Sequence, residues 1–249
     1  MIRLLAFLTV LALPAQAEEI VLGLSRDQVA ITANFDGSDI LIFGAVKRET
    51  PIPAGDDLGV IVTVAGPTLP VTVRRKDRRL GIWVNTDDVE VDAAPSFYAV
   101  ASSGPMRSVL RDVEDLRYKV TIPRAIRSVG AEVSDSRAFT QALIRIRAGQ
   151  GLYQVLEGAV DLEEETLFRT AITLPANLTE GNYMARIFLT RDGRVIDEYI
   201  TSIPVEKVGM ERWLYNLAHE QAMLYGLMSL AIAIGAGWGA SAAFSMLRR

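Results

Sequence analysis

From residue 18 to about 103, apolar and polar positions alternate with a period of two. Ile20, Leu22 and Leu24 fall on one face of a first strand; Val29, Ile31, Ala33 and Phe35 fall on one face of a second. The turn residues Asp36-Gly37-Ser38 lead into 40–46 (ILIFGAV), which is apolar on both faces and so predicts a central strand buried on both sides. Further strands are predicted at 59–65, 70–75, 80–85, 89–91 and 96–101, with turn residues at Thr50-Pro51, Pro53-Ala54-Gly55, Gly66-Pro67 and Ala94-Pro95. About seven short strands at regular spacing is the pattern of an immunoglobulin-like β-sandwich, so 18–103 reads as one such domain with Trp83 packed in its core.

The period changes at Gly104-Pro105. Val109, Leu110, Val113 and Leu116 recur at helical spacing, which predicts a helix over 106–116, followed by an extended piece at 118–122. A second helix is predicted over 136–148. Asp135 or Ser136 can cap it, Phe139, Leu143 and Ile146 share a face, and Gly149 stops it. Residues 104–150 therefore read as a helical connector or insertion. Strands return at 152–160, 167–174, 182–190 and 194–205, a second β-rich domain over 151–208. Its last two strands are joined by Arg191-Asp192-Gly193, where Asp-Gly suits a tight hairpin. Leu178-Thr179-Glu180-Gly181-Asn182-Tyr183 has the form of the tyrosine corner, in which the phenol bonds back to nearby backbone.

The two ends carry the strongest apolar runs. Arg3, then a stretch of 10 uncharged residues at 4–13 (apolar except for Thr9), then Pro14 and Ala15-Gln16-Ala17 follow the order of a secretory signal peptide, assigned to 1–17. At the other end, the 27 residues 221–247 hold no charged side chain. A bilayer core of about 30 Å needs roughly 20 helical residues, so this run is long enough to span it. Arg248 and Arg249 form a short tail (248–249) that the positive-inside tendency places in the cytoplasm. Residues 209–220 read as an amphipathic interfacial segment, with Trp213, Tyr215 and Tyr225 as membrane-interface aromatics. The expected topology is single-pass in the inner (plasma) membrane, with the N-terminal bulk in the periplasm and the C-terminus cytoplasmic. No long stalk separates the last strand from the membrane.

Charge sharpens this picture. Without Arg3, Arg248 and Arg249, the remaining 23 basic against 30 acidic residues leave −7 on 18–220. Nucleic acid, which demands a basic face, is thereby excluded as a partner. With no cysteine, the chain has no disulfides, no thiol redox chemistry and no thiolate metal sites.

Several stretches also carry a family resemblance: IFGAV (42–46), GIWVN (81–85), PSFYAV (95–100), GLYQV (151–155), TLFRTAITLPAN (166–177) and YGL (225–227). Over essentially the whole mature chain the sequence resembles a family of uncharacterised transmembrane proteins from alphaproteobacteria. No catalytic residues come with that resemblance. It implies an accessory role beside sulfite-exporter-type permeases.

Residues that could carry chemistry are few. His219 is the sole histidine and lies just before the span, so a Ser-His-Asp or His-based metal site would have to be built around it; neither a catalytic site nor a metal site nor a cofactor is expected. Acidic clusters occur at Asp56-Asp57, at Asp87, Asp88, Glu90 and Asp92, and at Asp161, Glu163, Glu164 and Glu165. None has the spacing of a calcium loop, and they read as solvated strand ends. The basic run Arg74, Arg75, Lys76, Arg78 and Arg79 reads as a hairpin tip that could meet an anion, lipid phosphates or a partner. Within the span, Gly235, Gly239 and Ala243 form a small-residue face suited to helix–helix contact, with itself or with a polytopic protein. The sequence thus predicts a mainly β, non-enzymatic, membrane-anchored periplasmic protein, an accessory or interaction subunit of a membrane transporter complex. A binding or sensing module for a small anion is the alternative, and a carboxylate-dependent hydrolase a more distant one.

Overall fold

The computed structural model describes residues 18–25, 28–31, 35–48, 57–128, 136–207 and 210–247. The expected signal peptide at 1–17, the tail at 248–249, Ala33, Asp56, Asp135 and the turn residues at 50–55 lie outside the described residues.

Alternating burial builds two sheets. The first orders β1 (Glu19–Leu24), β3 (Gly37–Lys47), β10 (Leu167–Pro175) and β9 (Asp161–Glu163), each antiparallel to its neighbour. The second orders β2 (Val29–Ile31), β12 (Arg194–Lys207), β11 (Gly181–Arg191), β4 (Leu58–Ala65), β7 (Tyr98–Ser102) and β8 (Tyr153–Glu157). Its outermost pairings, β2 with β12 and β7 with β8, are parallel. The first sheet follows the A-B-E-D order of an immunoglobulin sandwich; β4, β11 and β12 stand where C, F and G stand. Between the C and D positions the chain makes a long excursion. It comprises the hairpin β5 (Thr68–Arg79) and β6 (Ile82–Pro95), then β7, the helices α1 (Met106–Val109), α2 (Asp112–Tyr118), α3 (Ile122–Ala125) and α4 (Ser136–Gly149), and β8.

The division into a sandwich at 18–103 and a second β-rich domain at 151–208 is therefore corrected. β10 pairs with β3 over nine residues and β11 with β4 over eight, so both sheets draw strands from both stretches. Periodicity reports which face of a strand is buried, not which strand lies beside it. The inner faces meet in one core, where Ile40, Ile42 and Val62 pack with Phe168, Ile187 and Val205. A second core covers the far face of the larger sheet, where Ile61, Val100 and Phe188 meet Leu110, Val120, Phe139 and Leu143. The strands buried on both faces are thus β4 and β7, in the middle of the larger sheet. In β3 the inner residues Ile40 and Ile42 are buried, while Leu41 and Phe43 are 41% and 44% exposed, against the expectation for 40–46.

Local chemistry places the remaining turns. The helix expected over 106–116 breaks in two, because Leu110 and Arg111 are extended, and Leu110 turns into the second core. The carboxylate of Asp115 then accepts the backbone N–H groups of Val120 (3.1 Å) and Thr121 (2.8 Å), making a turn of the piece expected to be extended. α4 forms as expected, burying Phe139 and Leu143 but leaving Ile146 exposed at the edge of its face. Asp192 and Gly193 both adopt positive φ and close the β11–β12 hairpin. The tyrosine corner is present: the Tyr183 hydroxyl donates to the Thr179 carbonyl at 2.9 Å.

An ionic cluster closes the sandwich. Glu18 Oε1 accepts from Arg48 Nε (2.9 Å) and from an Arg191 guanidinium nitrogen (2.6 Å), and Arg48 also donates to the Glu165 carbonyl. The three side chains Arg48, Glu18 and Arg191 are only 9%, 10% and 13% exposed.

Two further tyrosines hold the excursion to the larger sheet. Tyr98 donates to the Val120 carbonyl at 2.7 Å and Tyr153 to the Pro95 carbonyl at 2.8 Å. Burial raises the pKa of both phenols and of Tyr183 above the ordinary 10.0, since a buried phenolate loses its hydration. The unfolded chain releases these protons at lower pH than the folded one, so the contribution is intact below about pH 10 and is lost as pH rises beyond it. An absorbance titration of the tyrosines is expected to show these three phenols ionising only together with unfolding.

Candidate functional site

No cleft in the described residues gathers the residues that the sequence singled out; two uncovered surfaces and a helix do. The first surface is the outer face of the β1–β3–β10–β9 sheet. Register sets its rows: Val21 lies opposite Ala45 and Ala45 opposite Leu167, while in the next row Gly23 lies opposite Phe43 and Phe43 opposite Arg169. Gly23 makes room for the Phe43 ring, which would sit 2.5 Å from a Cβ placed there. Val21, Leu41, Phe43 and Leu167 are each between 41% and 53% exposed, side by side on one face. A shallow groove of about 370 Å³ runs past Leu41, Phe43 and Leu167 to Arg169, which bridges to Asp161 (3.3 Å) and Glu163 (3.4 Å). A contiguous apolar surface with a charged edge is the form of a contact surface.

The second surface is the β5–β6 hairpin. The basic run does not sit on the turn but along β5, whose apex is Leu80-Gly81. Arg74 lies opposite Asp88 and Arg75 opposite Asp87, so the basic run and one acidic cluster are two sides of one ribbon. Arg75 pairs with Asp87 at 3.7 Å and stacks over the Phe139 ring at 4.7 Å. Trp83, expected in the core, stands on the hairpin and is 66% exposed; an aromatic residue in an alternating strand gives no sign of whether that strand leaves the body. Lys76, Arg78 and Arg79 run along the ribbon and line none of the three grooves described here.

Those other two grooves, about 350 and 340 Å³, flank the helical layer. One lies between α1, α2 and β8 and holds Arg107, Asp112, Asp115 and Glu157. The other holds Lys119 and Arg186, but Arg186 is engaged by the Tyr118 carbonyl (2.9 Å) and by Glu198 (3.8 Å). Among the described residues, no three His, Asp or Glu side chains are arranged to hold a metal ion. Of the last acidic cluster, Asp161 and Glu163 pair with Arg169, and Glu165 turns toward Arg48. His219 stacks on Tyr215 with ring centroids 4.0 Å apart and contacts the Tyr215 carbonyl through Nδ1 at 2.9 Å.

β12 ends at Lys207, and α5 (Met210–Glu220) and α6 (Ala222–Leu247) follow. Tyr215 lies on α5 and Tyr225 on α6, both exposed; the Trp213 side chain is outside the described residues. α6 contains a 20-residue stretch, Ala222–Ser241, long and apolar enough to cross a membrane and wholly unburied by the rest of the chain. Gly235 and Gly239, four apart and therefore on one face, have no atom near the position a Cβ would take. Ala243 continues the helix by one turn, its side chain outside the described residues.

These features define a β-sandwich protein of immunoglobulin-like order with one candidate membrane span near its C-terminus. The chain belongs to the family described as "Putative transmembrane protein (Alph_Pro_TM)", whose model matches residues 19–246. Comparison with curated proteins returns no match.

Proposed function

We propose that this chain is a non-enzymatic accessory subunit of a membrane complex, held by α6 in the inner membrane, with its sandwich on the periplasmic side seating a polytopic partner. The observation that carries the reading is the uncovered apolar row Val21, Leu41, Phe43 and Leu167 on a domain tethered to a membrane. Water-exposed apolar area of this kind is a standing cost that a partner removes. The signal-peptide pattern at 1–17 and the terminal arginines support the orientation. The small face of Gly235, Gly239 and Ala243 supports a second contact within the bilayer, where close backbone approach carries no polar cost. A sulfite-exporter-type permease is the partner class that the family resemblance suggests.

The test is affinity purification of the tagged chain from native membranes in mild detergent. A polytopic protein is expected in stoichiometric amount, with Phe43→Glu lowering its recovery at least tenfold and Gly235→Leu with Gly239→Leu lowering it further. Recovery of the chain alone, or of a self-associated form, overturns the reading.

A further inference from the structure

We propose that the apex of the β5–β6 hairpin inserts into an anionic lipid surface, giving the chain a second membrane contact beside α6. This uses a different surface from the docking face and depends only on membrane anchoring by α6.

Val73 and Val89, paired across the ribbon, are its last buried residues toward the apex. Arg75 still stacks on Phe139, and beyond it the five residues to Leu80 carry the ribbon roughly 16 Å further, at about 3.3 Å each. This arm is graded along its length. At its base Arg75 is neutralised by Asp87, and Arg74 lies opposite Asp88. Further out come Lys76, Arg78 and Arg79 against the single carboxylate of Asp77, whose Oδ1 already accepts the backbone N–H of Arg78 (2.8 Å). The apex itself is apolar: Leu80 is fully exposed, Ile82 and Trp83 are each 66% exposed, and Val84 follows. Cross-strand register sets Arg78 opposite Trp83 and Arg79 opposite Ile82.

The apex also breaks the rule for its turn. Leu80 has φ +50° and Gly81 φ +87°, a two-residue turn that favours Asn-Gly or Asp-Gly. A leucine there takes a left-handed conformation, disfavoured by its Cβ, and presents its whole side chain to water. Nothing among the described residues recovers that burial. An acyl-chain boundary would.

Apolar apex, cationic collar and neutral base match the bilayer's own order of acyl chains, phosphates and water. Tryptophan favours the headgroup level, and lysine and arginine stems can lie along apolar surface while their charges reach phosphate. Charge complementarity commits the occupant to anionic lipid, and α6 keeps such a surface at high effective concentration.

The chain has three tryptophans, so Trp213→Phe with Trp238→Phe leaves Trp83 as the single reporter. This full-length variant is reconstituted into phosphatidylcholine vesicles with or without phosphatidylglycerol, and quenching by brominated acyl chains is measured. At least twofold quenching is expected with phosphatidylglycerol, and its loss in Arg78→Glu with Arg79→Glu. No quenching in either membrane overturns the proposal. Equal quenching in both overturns its anionic part, and a protection of Trp83 that grows with protein density but not with brominated lipid assigns the apex to a second copy. The chain has no cysteine, so Leu80→Cys carrying a nitroxide, with all tryptophans retained, gives an independent depth measurement. Its preferential relaxation by oxygen over a water-soluble nickel complex is the expected result, and the reverse preference contradicts the proposal.

Discussion

Replacing Glu18 with alanine is expected to destabilise the sandwich by about 3–5 kcal/mol, since removing one partner of a buried ion cluster leaves uncompensated charge. Glu18 is the common acceptor of Arg48 and Arg191, and all three are close to nine-tenths buried. Its loss takes the shared carboxylate away from two guanidinium groups that water reaches poorly, and the Glu165 carboxylate, 3.9 Å from Arg48, is the more distant one. Glu18→Gln keeps the shape and one acceptor oxygen, so it is expected to lose less. Denaturant unfolding of the full chain in mild detergent measures both variants. A change under about 1 kcal/mol for Glu18→Ala would mean that solvent reaches the cluster and screens it.

The second large effect concerns Phe168, 2% exposed and packed in the core between the two sheets. Phe168→Ala is expected to cost about 3–5 kcal/mol, the usual range for emptying a buried aromatic site. Over a region of this size that lowers Tm by roughly 6–20 °C, at about 2–4 °C per kcal/mol. The sharper consequence is cooperativity. β10 pairs with β3, and β11 with β4, so the residues before 103 and those after 151 lose their structure together. Calorimetry of wild type and variant is expected to show one transition in each, moved to lower temperature in the variant. Two transitions, only one of them shifted, would restore the picture of two separate domains.

How far the sequence reaches is clear from particular residues. Period-two alternation located β1, β3, β10, β11 and β12, and Asp192-Gly193 and Tyr183 announced a hairpin and a corner that both form. These signals are local: each depends on a few neighbouring side chains. Pairing is not local. Nothing in residues 37–47 points to 167–175, so the C-to-D excursion read as a boundary between domains. The Glu18 cluster joins residues up to 173 positions apart and leaves no motif.

The apolar double row of 40–46 was legible in composition but not in meaning. A strand apolar on both faces predicts cover on both sides, and the chain supplies it on one. The hairpin departs from its sequence pattern in a similar way. Its strands alternate like sandwich strands, which predicts Trp83 in a core, whereas β5 and β6 pair with each other and Trp83 is exposed. In both places, local pattern and final burial disagree where an apolar surface is left for something else to cover. Such disagreements are where function is expected to lie.

A membrane-resident partner is proposed to cover the Val21–Leu41–Phe43–Leu167 face. A photo-crosslinking amino acid at Phe43, in the full chain in its native membrane, tests this most directly, with the same probe at exposed Ser202 on the other sheet as control. One dominant crosslinked product is expected from position 43, containing a polytopic membrane protein, and none of that product from position 202. No product from position 43, or the same products from both positions, would contradict it.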